Sequence, residues 1–359
     1  MKIAIDARTL GSKPSGIGMY LFDFLKELVK YEEFDICLIT DVTKSEYIKS
    51  CSKMGMKIIA YGKPVKTYEV FSYFGFIQKQ LNIIKPDVFW EVNNLIPRKL
   101  KGKFKTVVTI HDMFPITHAG DVGRVYGMYF KHFMKSTVSH ADCILYNSME
   151  TKKQTVRFYP EAKTKKSMVT HIIVDRIKNV PEIRDDGYFL YVGNMEKRKG
   201  VDILLAAYAL YKKRGGEKNL LLAGKLNDKY IRNQVYRAMQ LSRDIEYMNY
   251  VSQKKKNELY AHCSCFIFPS KAEGFGMPVV EVMQFNKPVI VGDLSIYDEI
   301  VGDCVNRFNI SGEYTVEALS DAMENYNANV DVASYNRVLD SYAPEVLGEK
   351  LKKFFLSLR

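Results

Sequence analysis

One stretch of the chain, residues 265–290, constrains the fold most, because strand, loop and helix signals follow one another there without a gap. Cys265–Phe268 is a short apolar run typical of a buried strand. A loop with Gly274 and Gly276 follows, and Pro278 suits the first turn of a helix, where its missing N–H has no partner to lose. The loop therefore brings a helix N-terminus, with its partial positive charge, to the end of a strand. Such an arrangement attracts phosphate.

The same succession of strand and helix signals recurs along the whole chain. Apolar runs predict strands at residues 2–6, 36–40, 57–60, 88–91, 106–110, 143–146, 188–192, 220–223, 265–268 and 289–291. Helical periodicity predicts helices at 19–29, 68–84, 126–139, 201–211, 229–241 and 254–262, then from Thr315, from Val332 and over 346–358. This alternation predicts an α/β fold built on parallel, doubly wound sheets. The pattern loosens over 163–183, which predicts an inter-domain linker.

Two carboxylates accompany the glycine loop: Glu273 lies in the loop, and Glu281 lies eight positions further on. A carboxylate accepts hydrogen bonds and donates none, so acids beside a phosphate site indicate sugar hydroxyls as neighbours. The string from Glu273 to Glu281, EGFGMPVVE, resembles the EGFGxPxxE signature of retaining glycosyltransferase family 4, whose members have the GT-B fold. The resemblance implies that Glu273 holds hydroxyls of the donor sugar and that Glu281 holds the ribose.

A second strand, loop and helix start carries cations. The strand at 188–192 is followed by Gly193 and Asn194, and then by Arg198 and Lys199 just before a helix. Guanidinium offers a planar fork of donors and ammonium a compact charge, so both suit a diphosphate. The segment is similar to the family motif G-x-x-x-x-[RK]-K-[GN], with one departure. Many members have Arg where this chain has Asn194, which leaves more of the charge on Arg198 and Lys199.

The resemblance implies two Rossmann-like, doubly wound parallel-sheet domains that face a central cleft. We expect an N-terminal, acceptor-side domain over 1–171, with 344–359 packing back on it, and a C-terminal nucleotide-sugar domain over 172–343. The expected donor-binding residues lie in glycine loops or at helix starts: Gly16, Gly18, Gly193, Asn194, Arg198, Lys199, Glu273, Gly274, Phe275, Gly276, Met277 and Glu281. The expected catalytic residues are His111, Asp112, Arg198, Lys199 and Glu273.

His111 and Asp112 directly follow the predicted strand at 106–110. In doubly wound sheets, ligands bind beyond the carboxyl ends of the strands. The family carries a similar His-Asp pair near the transferred sugar, which implies that His111 lies on the reacting side of that sugar.

The loop before the first predicted helix, GSKPSGIG, contains Gly16 and Gly18 in the spacing that opens a dinucleotide fingerprint. Leu21 stands where the third glycine belongs, so an NAD-dependent Rossmann oxidoreductase is the weaker alternative; Asp35 and Asp41 are its candidate ribose ligands. A non-catalytic nucleotide-sugar-binding protein is the other alternative. The complete set of cations and acids in the second half argues against it.

The chain carries a formal net charge of +12. This charge suits anionic small substrates or an anionic membrane surface. No DNA- or RNA-binding motif accompanies it, so we expect no nucleic-acid partner. The basic residues cluster at Arg98, Lys99, Lys101, Lys103 and Lys105, and at Lys163, Lys165 and Lys166.

Several features of the sequence indicate a cytoplasmic protein. No apolar run reaches the ~18 residues that suggest a membrane span, and the N-terminus does not read as a signal peptide. The six cysteines show neither disulfide nor zinc spacing. Together with the positive charge, this predicts a cytoplasmic enzyme with a peripheral place at the inner membrane face as an open option.

The sequence contains no Asp-x-Asp triplet of the kind that holds a divalent cation in metal-dependent transferases. We therefore expect neither metal nor cofactor, with Arg198, Lys199 and the helix start near Pro278 neutralising the leaving phosphate. The resemblance implies retention of anomeric configuration. The GIGxY string at Gly16 and the HDxxP string at His111 resemble transferases of bacterial surface polysaccharide assembly, often mannosyltransferases. This favours GDP-mannose over UDP-sugars as donor, and a glycan or lipid-linked acceptor.

Overall fold

The computed structural model of the protein describes residues 1–12, 16–96, 99–118, 120 and 123–359, without the side chains of Thr67 and Arg124. Arg98 of the first basic cluster and residues 13–15 of the first glycine loop lie outside these ranges. The chain divides into two compact units, Met1–Ile173 with Tyr342–Arg359, and Val174–Ser341.

The first unit is built on a parallel sheet of seven described strands in the order β3-β2-β1-β4-β5-β6-β7. These strands are β1 (Lys2–Asp6), β2 (Asp35–Thr40), β3 (Lys57–Ala60), β4 (Val88–Glu91), β5 (Lys105–Ile110), β6 (Cys143–Tyr146) and β7 (Lys166–Val169). The helices between them are α1 (Gly16–Leu28), α2 (Glu46–Lys53), α3 (Val70–Ile84), α4 (Phe114–Thr117), α5 (Arg124–His140) and α6 (Met149–Phe158). The central strands are buried, as expected for a parallel sheet covered on both faces.

The second unit repeats this plan with a parallel sheet in the order β10-β9-β8-β11-β12-β13. Its strands are β8 (Tyr188–Val192), β9 (Asn219–Ala223), β10 (Ile245–Met248), β11 (Cys265–Phe268), β12 (Val289–Gly292) and β13 (Asn306–Phe308). Its helices are α7 (Val201–Lys213), α8 (Lys229–Leu241), α9 (Gln253–His262), α10 (Met277–Met283), α11 (Ser295–Ile300), α12 (Thr315–Asn325) and α13 (Val332–Ser341). The strand order changes direction between β8 and β11, and in such sheets ligands bind beyond the strand ends at that switch point.

The last helix, α14 (Pro344–Leu356), belongs to the first unit. Gly348 allows it to approach α1 closely, because a Cβ atom at this position would lie 2.7 Å from the Cβ of Glu27. Further along the helix, the buried Phe355 ring meets the Trp90 ring edge-on, at 5.4 Å between centroids. The end of the chain therefore contributes to the core around β4.

The structure corrects three sequence-based expectations about elements. Helix α1 begins at Gly16 and not at residue 19, so Gly16 and Gly18 lie in its first turn and not in a loop before it. The predicted linker at 163–183 contains β7, which pairs with β6 in the first sheet. The strands β10 and β13 were not predicted. All three missed strands lie at sheet edges and are partly exposed, so their sequences lack a continuous apolar run.

Candidate donor site in the second unit

The loops that follow β8 and β11, residues 193–200 and 269–276, are held together by backbone contacts; we call them the switch-point loops. The Lys271 N–H donates to the carbonyl of Arg198 at 2.8 Å. Gly200 has φ +66°, and a Cβ atom there would lie 2.0 Å from the carbonyl oxygen of Pro269. Only glycine combines this left-handed conformation with so close an approach. The position therefore fixes where the preceding Arg198 and Lys199 stand.

Lys199 and Glu273 form the central contact between the switch-point loops. The Lys199 Nζ lies 2.5 Å from Glu273 Oε1, and both side chains are largely buried. The Nζ also lies 5.2 Å from the centre of the Phe268 ring, at the end of β11. Burial lowers the pKa of Lys199, and the Glu273 carboxylate opposes that effect. Lys199 thus supplies a compact positive charge at the switch point, and Glu273 beside it supplies a hydrogen-bond acceptor.

Arg198 lies beside this pair. Its Nη1 donates to the carbonyl of Ala272 at 3.3 Å and lies 4.0 Å from Glu273 Oε2, while its Nε lies 3.3 Å from Glu196 Oε2. The structure therefore brings Arg198, Lys199 and Glu273, which the sequence separates by more than 70 positions, to one place. Two cations and an acid in this arrangement can hold a diphosphate and a neighbouring hydroxyl group.

The start of α10 offers fewer peptide donors than the sequence suggested. The Val279 N–H already donates to the carbonyl of Gly276 at 2.9 Å, and Pro278 has no N–H. The helix is only seven residues long. The Phe275 side chain is buried, so Phe275 can contact a ligand only through its backbone. Gly274 and Met277 are half-buried. More of the charge compensation therefore falls on the side chains of Arg198 and Lys199.

Gly276 approaches the ring of a buried tyrosine. It has φ +93°, and a Cβ atom there would lie 3.1 Å from Cε1 of Tyr297. The Tyr297 hydroxyl is fully buried and makes no hydrogen bond among the described residues. Burial, followed by the charge of Glu273, raises the pKa of Tyr297 well above its ordinary value. This hydroxyl is a neutral donor beneath the second switch-point loop.

Glu281 is held by two residues of α9. Lys256 Nζ lies 2.8 Å from both carboxylate oxygens, and the hydroxyl of Tyr260 donates to Oε2 at 2.9 Å. The pair is partly buried. Glu281 and Glu273 thus have different cationic partners, Lys256 and Lys199.

Gly193 and Asn194 take their positions from the neighbouring strand ends. The Gly193 N–H donates to the carbonyl of Ala223 at 2.9 Å, and a Cβ atom on Gly224 would lie 2.0 Å from the Gly193 carbonyl oxygen. The Asn194 carbonyl accepts a hydrogen bond from the Tyr191 hydroxyl at 3.1 Å, and its side chain is exposed. Gly224 was not among the predicted site residues, although its place directly after a strand was visible in the sequence.

His111 and Asp112 lie in the first unit, at the carboxyl end of β5. The His111 ring is buried, and because a carbonyl only accepts, its Nε2–H donates to Val92 O at 2.9 Å. Burial lowers the pKa of His111 to about 4. The imidazole is therefore neutral at pH 7, and Nδ1 is its acceptor atom. Asp112 Oδ1 accepts from the Phe114 N–H at 3.2 Å.

Gly16 and Gly18 differ in what surrounds them. A Cβ atom on Gly18 would lie 2.3 Å from the Thr9 carbonyl oxygen, so this glycine lets α1 pack on the turn after β1. Nothing lies within 4 Å of a Cβ atom on Gly16. Asp41, one candidate ribose ligand of the oxidoreductase alternative, instead accepts hydrogen bonds from Ser12 and Val42.

Comparison with known proteins gives a family match for the second unit and similar proteins for the whole chain. Residues 174–343 match the family model described as "Glycosyl transferases group 1". The O-antigen chain mannosyltransferase RfbU of Salmonella typhimurium is 21% identical over 363 residues, covering 95% of this chain and 99% of that protein. The mannosyltransferase WbdA of Escherichia coli is 31% identical over 153 residues, 41% of this chain but only 18% of that protein. The solved structure of Anabaena HepE with UDP and glucose superposes with a TM-score of 0.72 at 13% identity, covering 99% of this chain and 100% of that one.

This chain is a glycosyltransferase of the GT-B fold. The expected fold class of two parallel-sheet α/β domains is confirmed, and so is the expected enzyme class. Within the described ranges of the glycosyltransferase, no helix is both long and apolar enough to cross a membrane. Over the same ranges, no three His, Cys, Asp or Glu side chains lie close enough together to hold a metal ion.

The glycosyltransferase also has a charged cluster in its first unit that the sequence did not indicate. Arg8 Nε lies 3.0 Å from Asp6 Oδ2, and its Nη2 lies 3.7 Å from Glu91 Oε1. The Tyr73 hydroxyl donates to Asp6 Oδ1 at 2.8 Å. Burial, followed by the charge of Asp6, raises the pKa of Glu91 well above its ordinary value. Asp6 and Glu91 end β1 and β4, so their position at the switch point of the first sheet was the one available signal.

Arg8 is the member of this cluster that lines a cavity of about 300 Å³ in the first unit. Arg8, Asn93 and Asn94 supply its polar groups, and Tyr126 and Tyr129 of α5 supply aromatic faces. The positive charge of Arg8 is already compensated by Asp6, so the cavity favours a neutral polar ligand over a free anion. Amides and flat aromatic rings of this kind suit the hydroxyls and the apolar faces of a sugar.

Proposed function

We propose that this glycosyltransferase moves a hexose, with mannose favoured, from a nucleoside-diphosphate-sugar to a hydroxyl of a glycan or lipid-linked acceptor in surface polysaccharide synthesis. The transfer retains anomeric configuration and needs no metal ion. One observation carries this proposal: the contact of 2.5 Å between Lys199 and Glu273, with Arg198 alongside, at the switch point of the second sheet.

In the proposed reaction, Arg198 and Lys199 hold the donor diphosphate. Negative charge grows on the leaving phosphate as the glycosidic bond breaks, and preorganised cations in a largely buried position stabilise that charge. Glu273, which lies beside Lys199, accepts hydrogen bonds from hydroxyls of the transferred sugar. Glu281 binds the ribose hydroxyls, and Lys256 and Tyr260 hold its carboxylate in place.

Retention follows from a same-face displacement in this proposal. The acceptor oxygen forms its bond to the anomeric carbon on the face from which the diphosphate departs, and a phosphate oxygen takes the acceptor's proton. The residues of the switch-point loops bind and neutralise charge and need form no covalent intermediate. His111 enters as a neutral imidazole that hydrogen-bonds to the transferred sugar, and Asp112 supports the same region of the first unit.

The preference for mannose draws on the relatives. RfbU and WbdA are both named mannosyltransferases, and RfbU aligns with nearly the whole of this chain. GDP-mannose is therefore the first choice of donor. The solved structure of HepE contains UDP and glucose, which makes a UDP-sugar the second choice.

The acceptor binds to the first unit in this proposal, and the cavity beside Arg8 supports that choice. Its asparagines and tyrosines suit one sugar residue of a growing glycan. A lipid-linked acceptor would be met at the cytoplasmic face of the inner membrane, where the protein acts as a peripheral enzyme.

A thermal-shift screen tests the donor assignment, because a ligand specific for the folded state raises the unfolding temperature. We expect GDP and GDP-mannose to stabilise the protein more than UDP, UDP-glucose or NAD, with the same shifts in the presence of EDTA. Transfer of labelled mannose should also survive EDTA. A strict requirement for manganese, or stabilisation by NAD alone, would overturn the proposal.

A further inference from the structure

Three segments of the first unit form one layer on a face of its sheet: α3, the described residues 92–96 and 99–104, and α5. The Gln78 side chain of α3 donates to the Lys101 carbonyl at 2.8 Å and accepts from its N–H at 2.7 Å. The Ile96 N–H donates to Thr137 Oγ1 of α5 at 2.7 Å. Apolar residues of all three segments share one buried core. We call this the α3–α5 layer.

The α3–α5 layer contains no acidic residue in its sequence: residues 70–84, 92–104 and 124–140 have neither Asp nor Glu. The described acids that border it in the sequence are paired with other groups or buried, and Asp142 after α5 accepts from the Thr106 N–H at 2.7 Å. Glu69 pairs with Lys63 at 2.6 Å, Asp87 accepts from the Lys2 N–H at 2.7 Å, and Glu91 is fully buried. The outer surface of the layer therefore carries positive charge without local compensation from its own segments.

The outer surface of the α3–α5 layer combines lysines with large apolar side chains. Its exposed lysines come from all three segments: Lys79, Lys99, Lys101, Lys103, Lys131 and Lys135. Its exposed apolar residues include Phe71 (50% exposed), Ile83 (66%), Val125 (84%) and Met128 (73%). The Phe71 ring touches the Phe133 ring of α5, 5.5 Å between centroids, which joins the two helices at this surface.

We infer that the α3–α5 layer is the surface by which this enzyme docks on an anionic lipid bilayer. Lysines close to anionic headgroups each strengthen binding by about fivefold, and exposed apolar side chains enter the headgroup region. A nucleic acid would satisfy the lysines but would leave aliphatic side chains such as Ile83 and Val125 in water. The combination therefore favours a bilayer.

The docking surface continues into the cavity beside Arg8. Val70 at the start of α3, and Tyr126, Tyr129 and Phe130 of α5, line that cavity. An acceptor sugar attached to a membrane lipid would thus meet the cavity next to the surface that holds the enzyme on the membrane. This last point rests on the proposed function, whereas the docking surface itself rests on charge and exposure alone.

Vesicle flotation tests the docking surface on the full-length protein. We expect binding to phosphatidylcholine vesicles containing a quarter phosphatidylglycerol, at least tenfold weaker binding to pure phosphatidylcholine, and weaker binding again in 0.5 M salt. Two double variants, Val125→Asp with Met128→Asp and Lys131→Glu with Lys135→Glu, should each bind anionic vesicles at least tenfold more weakly. None of these four residues lines the cavity or lies in the switch-point loops.

The matched control places the same charges on exposed apolar residues of the second unit. The double variant Tyr236→Asp with Leu241→Asp, on α8, should bind vesicles like the parent protein. Unfolding temperature and nucleotide stabilisation should be unchanged in every variant, so a failed donor assignment stays distinguishable from failed docking. The inference is overturned if both layer variants float like the parent, if the control weakens binding equally, or if duplex DNA or RNA binds more tightly than anionic vesicles.

Discussion

Two opposing effects act on the pKa of Lys199. Its burial disfavours the charged form, whereas the adjacent Glu273 favours it, and the net effect is a lowered pKa. In the proposed function, a cation held this way is already in place and largely stripped of water when a donor diphosphate arrives. The pair is held together because Lys199 without Glu273 would be a buried charge without its carboxylate, and Glu273 without Lys199 would keep only Arg198, 4.0 Å away.

Replacing Lys199 with Ala should lower the rate of sugar transfer by about 10²–10³, the usual cost of one preorganised donor at developing negative charge. Glu281→Ala should lower transfer at least tenfold by weakening the hold on the ribose. The control is Lys197→Ala, since Lys197 is an exposed lysine of the same turn and lies over the Tyr230 ring. Initial rates with labelled donor measure all three. Parental rates in both Lys199→Ala and Glu281→Ala would show that the site is wrongly assigned.

The stability of Lys199→Ala separates binding chemistry from structure. The single variant removes the nearest cation from Glu273, leaves only Arg198 at 4.0 Å, and should lower the free energy of unfolding by about 3 kcal/mol. A double variant, Lys199→Met with Glu273→Leu, should recover most of that stability and none of the transfer. Recovery of transfer by the double variant would contradict the proposed roles.

His111 should make the first unit sensitive to acid. Its pKa is about 4 in the folded protein and about 6.5 when unfolded, so the unfolded chain binds a proton first as the pH falls. The stabilisation is fully present above pH ~6.5, and about 3 kcal/mol of it is lost between pH ~6.5 and ~4. Denaturant unfolding of the parent and of His111→Gln, followed by fluorescence of Trp90, the single and buried tryptophan of this unit, measures the difference. Equal pH dependence in the two proteins would contradict the buried, neutral imidazole.

At the scale of elements, the contact between the switch-point loops matters more than the individual strands and helices. Gly200→Ala places a Cβ atom against the Pro269 carbonyl, in a backbone conformation that side chains rarely adopt. We expect a loss of several kcal/mol of stability and a loss of nucleotide binding, because Lys199 is displaced.

Gly302→Ala is the control for this effect. Gly302 has a similar φ of +57°, but nothing lies within 4 Å of its Cβ position. It should therefore lose only the ~1 kcal/mol cost of the left-handed conformation. Urea unfolding and nucleotide thermal shifts compare the two variants. Equal losses would mean that the close approach to Pro269 contributes nothing.

The sequence predicted the buried elements and the contact-forming loops well, for a physical reason. Strands such as β8 and β11 are covered on both faces, so each is a continuous apolar run that is visible without a structure. The edge strands β7, β10 and β13 are partly exposed and mix polar with apolar residues, so they were missed. The sequence pattern places the start of α1 too late because Gly16 and Gly18 resemble loop glycines, whereas Gly18 lets the helix pack on Thr9.

The site was only partly predictable. Motifs supplied Arg198, Lys199, Glu273 and Glu281, but their assigned roles stay predictions. The sequence does not predict Lys256, Tyr260 or Arg8 as site residues. A contact such as that between Lys256 and Glu281 arises only when α9 and α10 come together in the fold. No spacing in the sequence encodes it.

At the scale of the whole molecule, the first unit depends on the last residues of the chain. Phe355→Ala should lower the stability of the first unit by about 3–5 kcal/mol, because a fully buried ring beside Trp90 is lost. Val346→Ala, on the exposed side of the same helix, should change it by less than ~0.5 kcal/mol. Trp90 fluorescence during urea unfolding reports both. An unchanged midpoint in Phe355→Ala would mean that α14 contributes nothing to this core.

The return of α14 to the first unit also sets the order in which the protein can be completed during translation. Domains normally fold as they leave the ribosome, the N-terminal one first. Here the segment Tyr342–Arg359 is synthesised after the whole of the second unit, yet it packs into the unit whose other residues, Met1–Ile173, are synthesised before it. The second unit can therefore fold completely while the first unit still lacks α14 and the Trp90 ring lacks its contact with Phe355. A stop codon directly after Ser341 would therefore leave the second unit complete and the first unit without α14.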